Sequence, residues 1–503
     1  MRRKILFFGF DCASWKVLDP LLEKGDLPNI KKLIKEGVSC RTRAFDPPLS
    51  PVLWTSIASS KLPDKHGVKD FLATSKTVKV KRIWNILEEQ GFSIGLFGHI
   101  LTWPPEKVSG FNIPVLLARS PDTYPPEFDF IPKLVLLEKK GGSRNPLTYL
   151  GYLMNSFRYG LGLDTGLKAA GEFMRQKFGR EDYRDGYFRS RVLKENILSD
   201  LYLNLYRRFK PDYSFFHSHI ADSCTHNFWM YHEPEKFADV SPDDICKYGH
   251  FITEAYKTVD KIIGRFIGKI DPDTLFVVAS DHGGQASTTQ IKKKSYVLRS
   301  TQLMNSFGLE KDVNAVNYNL GALLRLKPAS SFSEEKFIQM FKQIKAEGSG
   351  IKVFEVKPVG YGSLYIELNP QLSDIEKIEI AIAGKTFTLN ELVRISSDRM
   401  SGTHDPNDAV LILSGKDILP GKCIKERSIL DIFPTLLAWL NLPVAKDMDG
   451  KVIEEVFVEK FIRENPVHYI DSYETGDYIQ DTDQEDELTD KVKEELRNLG
   501  YLD

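Results

Sequence analysis

Seven side chains able to bind a cation or attack an ester fall in five short stretches of the 503-residue chain. Asp11 closes "ILFFGFD", Ser50 stands in "DPPLSPVLW", Asp222 and His226 in "DSCTH", Asp281 and His282 in "SDHGG", and His404 in "SGTHDP". Three aspartates and three histidines suit two divalent cations. Mixed carboxylate and imidazole ligation favours zinc, with manganese and magnesium as alternatives. Two such ions stabilise both the attacking and the leaving oxygen of a phosphoryl displacement. A serine beside one of them becomes a nucleophile as its hydroxyl pKa falls, with no separate histidine base. The residues alone point to a two-metal enzyme acting on a phosphate ester or a similar oxyanion.

Each stretch also has an ordinary structural reading. Ser50 before Pro51 fits a helix cap, since serine accepts a free backbone N–H there and proline suits the first turn. The same helix mouth attracts an anion. An aspartate after a strand commonly caps a turn. Asp222 and His226 are i, i+4 neighbours, a spacing that surface pairs also show. Adjacent Asp281 and His282 after a buried strand are costly without partners. His404 reads equally as a polar loop residue. His66 in "KHGV" reads as a buried structural histidine, while His217 and His219 fall within a strand and receive no site role.

The elements that must position these groups are legible as apolar runs. "ILFFGF", "SIGLFG", "YSFFHSHI", "TLFVVAS" and "AVLILSG" do not alternate, so they suit strands buried on both faces. Amphipathic segments such as "LPNIKKLIKEG" and "KRIWNILEEQG" lie between them and stop at glycine. The fold class expected is α/β: a mostly parallel sheet with helices on both faces, plus inserted cap segments. Ligands of such sheets bind beyond the carboxyl ends of the strands. Asp11, Asp222 and Asp281 all fall there. The core is expected in three parts, 1–116, 201–286 and 361–470. A mostly helical insertion (117–200) and a second insertion (287–360) interrupt it, and an acidic linker with a C-terminal helix (471–503) follows.

In their order, "GFDCASW", "PPLSPVLWTSIASSKLPDKHGV", "DSCTH", "SDHGG" and "SGTHDP" resemble the alkaline phosphatase superfamily, especially its type I phosphodiesterase/nucleotide pyrophosphatase branch. "TWPPEKVSG", "DIFPTLLAWLNLPVAKDMDG" and "LRNLGYLD" resemble a microbial group of phosphohydrolases within it. The resemblance implies an alkaline phosphatase-like core. It implies that Asp11, Ser50, Asp281 and His282 surround one metal, and that Asp222, His226 and His404 hold the other. It makes Ser50 the nucleophile, carrying a phosphoseryl intermediate that a metal-bound water hydrolyses. The chain departs from the branch in having serine where threonine is usual, with Pro51 directly after it. "SPVLW" lacks the Cys/Ser-x-Pro-x-Arg setting of sulfatases, and the insertion after residue 116 is small for a phosphoglycerate mutase. A phosphotransferase or phosphomutase on the same scaffold, and a catalytically silent relative, are the alternatives.

Bulk properties narrow the partners. A net charge of -1 speaks against a nucleic-acid polymer. No run approaches the roughly 18 apolar residues of a membrane span. "MRRKILFFGFDCASW" is interrupted by Asp11 and reads as a first strand rather than a signal peptide. Five scattered cysteines without CxxC spacing suit reduced thiols and a cytoplasmic setting. The expected partner is a small phosphorylated substrate: a nucleotide, sugar or lipid-headgroup ester. Its selection is assigned to the insertions. Arg175, Arg180, Arg184, Arg189 and Arg191 read either as phosphate contacts or as a solvated face. Tyr183, Tyr187 and Phe188 read either as a stacking surface or as packing of the cap on the core.

Overall fold

The apolar runs become the strands of one sheet. In the computed structural model these are Lys4–Phe10 (β1), Gly37–Arg43 (β2), Ile94–Phe97 (β3), Phe111–Ile113 (β4), Tyr213–Ser218 (β5), Thr274–Ala279 (β6), Ala409–Ser414 (β7) and Lys422–Ser428 (β8). Their order is β8-β2-β7-β6-β1-β5-β3-β4. Described residues are 2–474 apart from 72, 140–150, 152–153, 179–181, 238–239, 288–294, 319–320, 328–329, 331, 348, 360–362, 370, 373–374, 383–384 and 397–400. The expected linker and C-terminal helix therefore lie almost wholly outside the described residues, as does Arg180.

Residues of β5, β6 and β7 are buried along their whole length, and β1 is buried beyond Lys4. That explains the absence of alternation in these runs. By contrast, β8 at the sheet edge carries the charged "KCIKERS" and is mostly exposed or half-buried, which discourages pairing with another chain. The sheet is mostly parallel, as expected of the α/β class. One strand differs: β7 runs antiparallel to both β2 and β6. This reversal matters for the site. Gly9 of β1 pairs with Ala279 of β6, Phe10 of β1 with Ser218 of β5, and Leu411 of β7 with Ala279. The ends of β1, β5 and β6 thus lie level with the start of β7.

Helices flank this sheet. The Phe251–Ile267 helix buries Ile252, Ala255, Val259, Ile262 and Phe266 on one stripe. From the same helix, buried Asp260 accepts the backbone N–H groups of Asn29 (3.0 Å) and Ile30 (2.8 Å). It caps the Pro28–Glu36 helix, whose own N-cap, Leu27, has no side-chain oxygen to offer. Within the first insertion the Tyr183–Phe209 helix runs unbroken from the insertion into the core. No described helix is long and apolar enough to cross a membrane.

The chain divides into two compact units. The first holds all eight strands and comprises Met1–His232, Pro242–Gln285 and His404–Glu485. The second is chiefly Ala286–Thr403. It has its own four-stranded antiparallel sheet, from Val313–Tyr318, Gly321–Leu326, Phe354–Val359 and Ser363–Leu368. Phe337 and Phe341 of the Glu334–Lys342 helix pack with Leu324 and Ile366 in its separate core. Where the sequence suggests a boundary at 360, this unit closes at Thr403, because its later strands pair with earlier ones.

Candidate metal centre

All seven candidate residues belong to the first unit. Asp11 follows β1 directly, and its N–H bonds the Ser218 carbonyl at the end of β5 (3.0 Å). Asp222 lies in the first turn of the Ile220–His232 helix, just after β5, and His226 stands one turn on. Asp281 and His282 follow β6. Because β7 is reversed, the chain entering it, not leaving it, reaches this edge, and so His404 arrives there. Gln285 donates to the His404 carbonyl (2.8 Å) and fixes that approach. The glycines of "SDHGG" are steric necessities. A Cβ on Gly283 would lie 2.7 Å from the Asp408 carbonyl, and one on Gly284 2.8 Å from the Trp229 ring.

Ser50 is not a cap. Leu49 is the N-cap of the Ser50–Ser59 helix, and Ser50 is its first helical residue, with no capping bond from its side chain. The helix is buried along its whole length, which holds that end rigidly. The Ser50 hydroxyl instead lies 3.2 Å from His282 Nε2.

Two groups of ligand atoms form. Asp222 Oδ1 is 3.3 Å from both His226 Nε2 and His404 Nε2, which are 3.0 Å apart. His282 Nε2 is 3.3 Å from Asp281 Oδ2 and 3.6 Å from Asp11 Oδ1. A four-coordinate ion with ligands at about 2.0–2.1 Å separates those ligands by about 3.3–3.4 Å, so both spacings fit a divalent cation. The groups adjoin. The His282 and His404 rings stack with centroids 3.7 Å apart, and Asp222, His282 and His404 also offer atoms within 4.8 Å of one another.

Protonation supports the same fit. His282 Nδ1 faces the Gly283 carbonyl (3.0 Å) and His404 Nδ1 the Pro48 carbonyl (2.7 Å). Each Nδ1–H donates to its carbonyl, so each Nε2 keeps its lone pair for a cation. Burial holds His282 well below the usual imidazole pKa and therefore neutral. Burial, then the charges of Asp281 and Asp222, pushes Asp11 well above the usual carboxylate range. Burial, with the charge of Asp222, pushes Asp281 up to about 7. Burial alone would raise Asp222 too, but His226, with His404 and His219, holds it well below its ordinary value. Asp11 Oδ1, Asp222 Oδ1 and both Asp281 oxygens are buried without a hydrogen-bond partner. Among the described residues no lysine or arginine pairs with these three carboxylates. A buried carboxylate in that state keeps a proton or takes a cation as partner.

Two histidines without a sequence assignment also enter the site. His217 Nε2 is 3.0 Å from Asp11 Oδ2, with the side chain wholly buried. It holds one oxygen of Asp11 and leaves Oδ1 turned to the ligand group. His219 Nδ1 is 3.3 Å from Asp222 Oδ2 and 4.0 Å from Asp11 Oδ2. Their signal in the sequence is position: both lie at the carboxyl end of an apolar strand run, His217 within β5 and His219 just past its end. His66 is buried, bonding Ser56 Oγ (2.9 Å) and the Val68 N–H (3.1 Å), which is the structural role expected of it.

The insertion residues are engaged mainly in packing. Arg184 lies over the Tyr248 ring (5.3 Å), Arg189 bonds Glu172 (3.1 Å) and Arg191 lies over Tyr187 (4.8 Å). Arg175 is exposed. Phe188 stacks on Phe251 at 4.2 Å, and Tyr187 accepts from Asn227 Nδ2 (3.1 Å). Tyr183 remains exposed.

Comparison with known families matches residues 5–347 to the family described as type I phosphodiesterase / nucleotide pyrophosphatase. That span includes every candidate residue except His404. Comparison with curated proteins gives no match.

Proposed function

The chain belongs to the type I phosphodiesterase/nucleotide pyrophosphatase family, a branch of the alkaline phosphatase superfamily that hydrolyses phosphate esters, and from that premise we propose a two-metal hydrolase with Ser50 as its nucleophile. Asp11, Ser50, Asp281 and His282 would hold one divalent cation, and Asp222, His226 and His404 the other. Zinc suits this donor set, with manganese or magnesium as alternatives. Bound there, such ions supply Lewis acidity toward phosphoryl oxygens and lower the pKa of a neighbouring hydroxyl.

The chain's own residues do the rest. The Ser50–Ser59 helix presents the Ser50 hydroxyl at a fixed point. Its Oγ attacks phosphorus as its proton passes to solvent, a P–O bond to serine forms, and the leaving alcohol or phosphate departs with the electron pair of the broken ester bond. Water then attacks the phosphorus, the bond from phosphorus to the serine oxygen breaks, the phosphoryl group leaves as phosphate or its monoester, and the serine oxygen takes up a proton. His217 keeps Asp11 oriented throughout. The observation that carries this reading is the serine hydroxyl, free of any capping bond and 3.2 Å from His282 Nε2, beside buried carboxylates that no lysine or arginine of the described residues pairs with.

The test is turnover of p-nitrophenyl phosphate and bis-p-nitrophenyl phosphate by wild type and Ser50→Ala, with metal content measured on both. Ser50→Ala is expected to lose about 10³-fold or more of turnover and to keep most of its metal. Full activity in Ser50→Ala would sink the reading. Transfer to an added alcohol in preference to water would replace hydrolysis by phosphotransfer.

A further inference from the structure

Eight large apolar side chains are exposed among the described residues, and five of them fall between 154 and 174: Met154 (65%), Phe157 (39%), Leu163 (78%), Leu167 (74%) and Met174 (53%). The Leu163–Phe178 helix is inverted relative to a soluble surface helix. Its buried side is small or polar. Thr165 bonds Asp200 (2.6 Å), Ala169 is wholly buried, and Glu172 is buried with Arg189 on its carboxylate (3.1 Å). Leucine and methionine point outward instead, at the i, i+4, i+11 spacing of one stripe. The patch is continuous with the preceding turn, because the Phe157 ring lies against Gly166, filling the place a Cβ would take.

Charge indicates what covers this stripe. Arg158, Lys168 and Arg175 are exposed around it. The nearby exposed carboxylate Asp164 is already bonded by Lys168 (2.6 Å). Pairing the face with a second copy about a two-fold axis would bring these cations toward their own kind. An anionic surface takes them favourably, and long unbranched or γ-branched side chains enter acyl chains readily. We propose that this face of the first insertion docks on an anionic phospholipid bilayer, lying on it rather than spanning it. The inference rests on the insertion's surface alone and stands whether or not Ser50 is the nucleophile.

The experiment is co-sedimentation of the full chain with phosphatidylcholine vesicles, with and without phosphatidylserine. Wild type is expected to bind the anionic vesicles and to be released as salt rises. The double variant Leu163→Glu/Leu167→Glu is expected to lose at least about tenfold in binding, with unchanged hydrolysis of a soluble ester. Leu167→Trp reports without removing the face: its added emission should shift to the blue with anionic vesicles. Absence of wild-type binding, equal binding by the double variant, or no shift in Leu167→Trp would overturn the proposal. A concentration-dependent dimer abolished by the double variant, without vesicle binding, would assign the face to a second copy instead.

Discussion

Replacing Asp281 by asparagine should stabilise the metal-free protein above neutral pH. Asp281 is wholly buried, neither carboxylate oxygen has a hydrogen-bond partner, and Asp222 adds negative charge. Its pKa is pushed from 3.8 up to about 7. An acid whose pKa is raised by folding contributes stability below its unfolded pKa and loses it as pH rises through the folded one. That loss is ~4 kcal/mol for a shift of this size. Asparagine keeps the shape and removes the charge, but its amide has bonds of its own to satisfy, at a cost of about 1–3 kcal/mol. A net gain of about 1–3 kcal/mol remains, or roughly 1–3 °C in Tm for a chain this long. The difference should grow in favour of the variant from about pH 4 to pH 7, stay level above, and turn into a deficit in acid, where wild type is already neutral at this position and only the amide's cost remains. The assay is thermal unfolding of chelator-stripped wild type and Asp281→Asn at about pH 5 and about pH 8. With excess zinc the order should reverse, because a ligand at about 1,000 times its Kd adds about 4 kcal/mol to the protein that binds it. An Asp281→Asn protein less stable than wild type at the higher pH without metal, or an equal advantage at both pH values, would refute the reasoning.

Asp222→Asn should behave with the opposite sign. Asp222 is held below its ordinary pKa by His226, His404 and His219 despite its burial, so its contribution is present at neutral pH and is lost as pH falls through its folded pKa; metal-free Asp222→Asn should therefore melt below wild type near pH 7 and converge with it in acid. His217→Ala should weaken metal binding by about 10–100-fold, measured by competition with a chromogenic chelator. His217→Gln, whose side-chain amide can reach the Nε2 position, should recover much of that loss. Removal of divalent ions by EDTA should abolish ester hydrolysis and lower Tm, and stoichiometric zinc should restore both.

Much of the site was legible because ligand chemistry and strand ends coincide. Asp11, Asp222 and Asp281 each follow a run too apolar to be anything but a buried strand, and parallel strands deliver their carboxyl ends to one edge. The glycines after His282 are required by the close approach of the Asp408 carbonyl and the Trp229 ring, which the sequence did not signal. Other features depended on partners distant in the chain. Sequence allowed Ser50 to be a cap, and only the backbone at Leu49 makes it the first helical residue. Position alone could not attach His217 to Asp11, a contact that exists because β1 and β5 pair with Gly9 opposite His217. The insertion helix carries its leucines outward because its polar side is taken by Asp200 and Arg189 of the neighbouring helix.

By itself, then, the sequence determined which groups this protein places at strand ends, and with them the donor types offered there, since burial pattern and donor type are local properties. Tertiary structure decided how those groups converge. His404 reaches the others only because β7 runs against its neighbours, and strand direction is set by pairing between segments more than a hundred residues apart. Such pairing leaves no local trace: an antiparallel strand buried on both faces has the same apolar run as a parallel one.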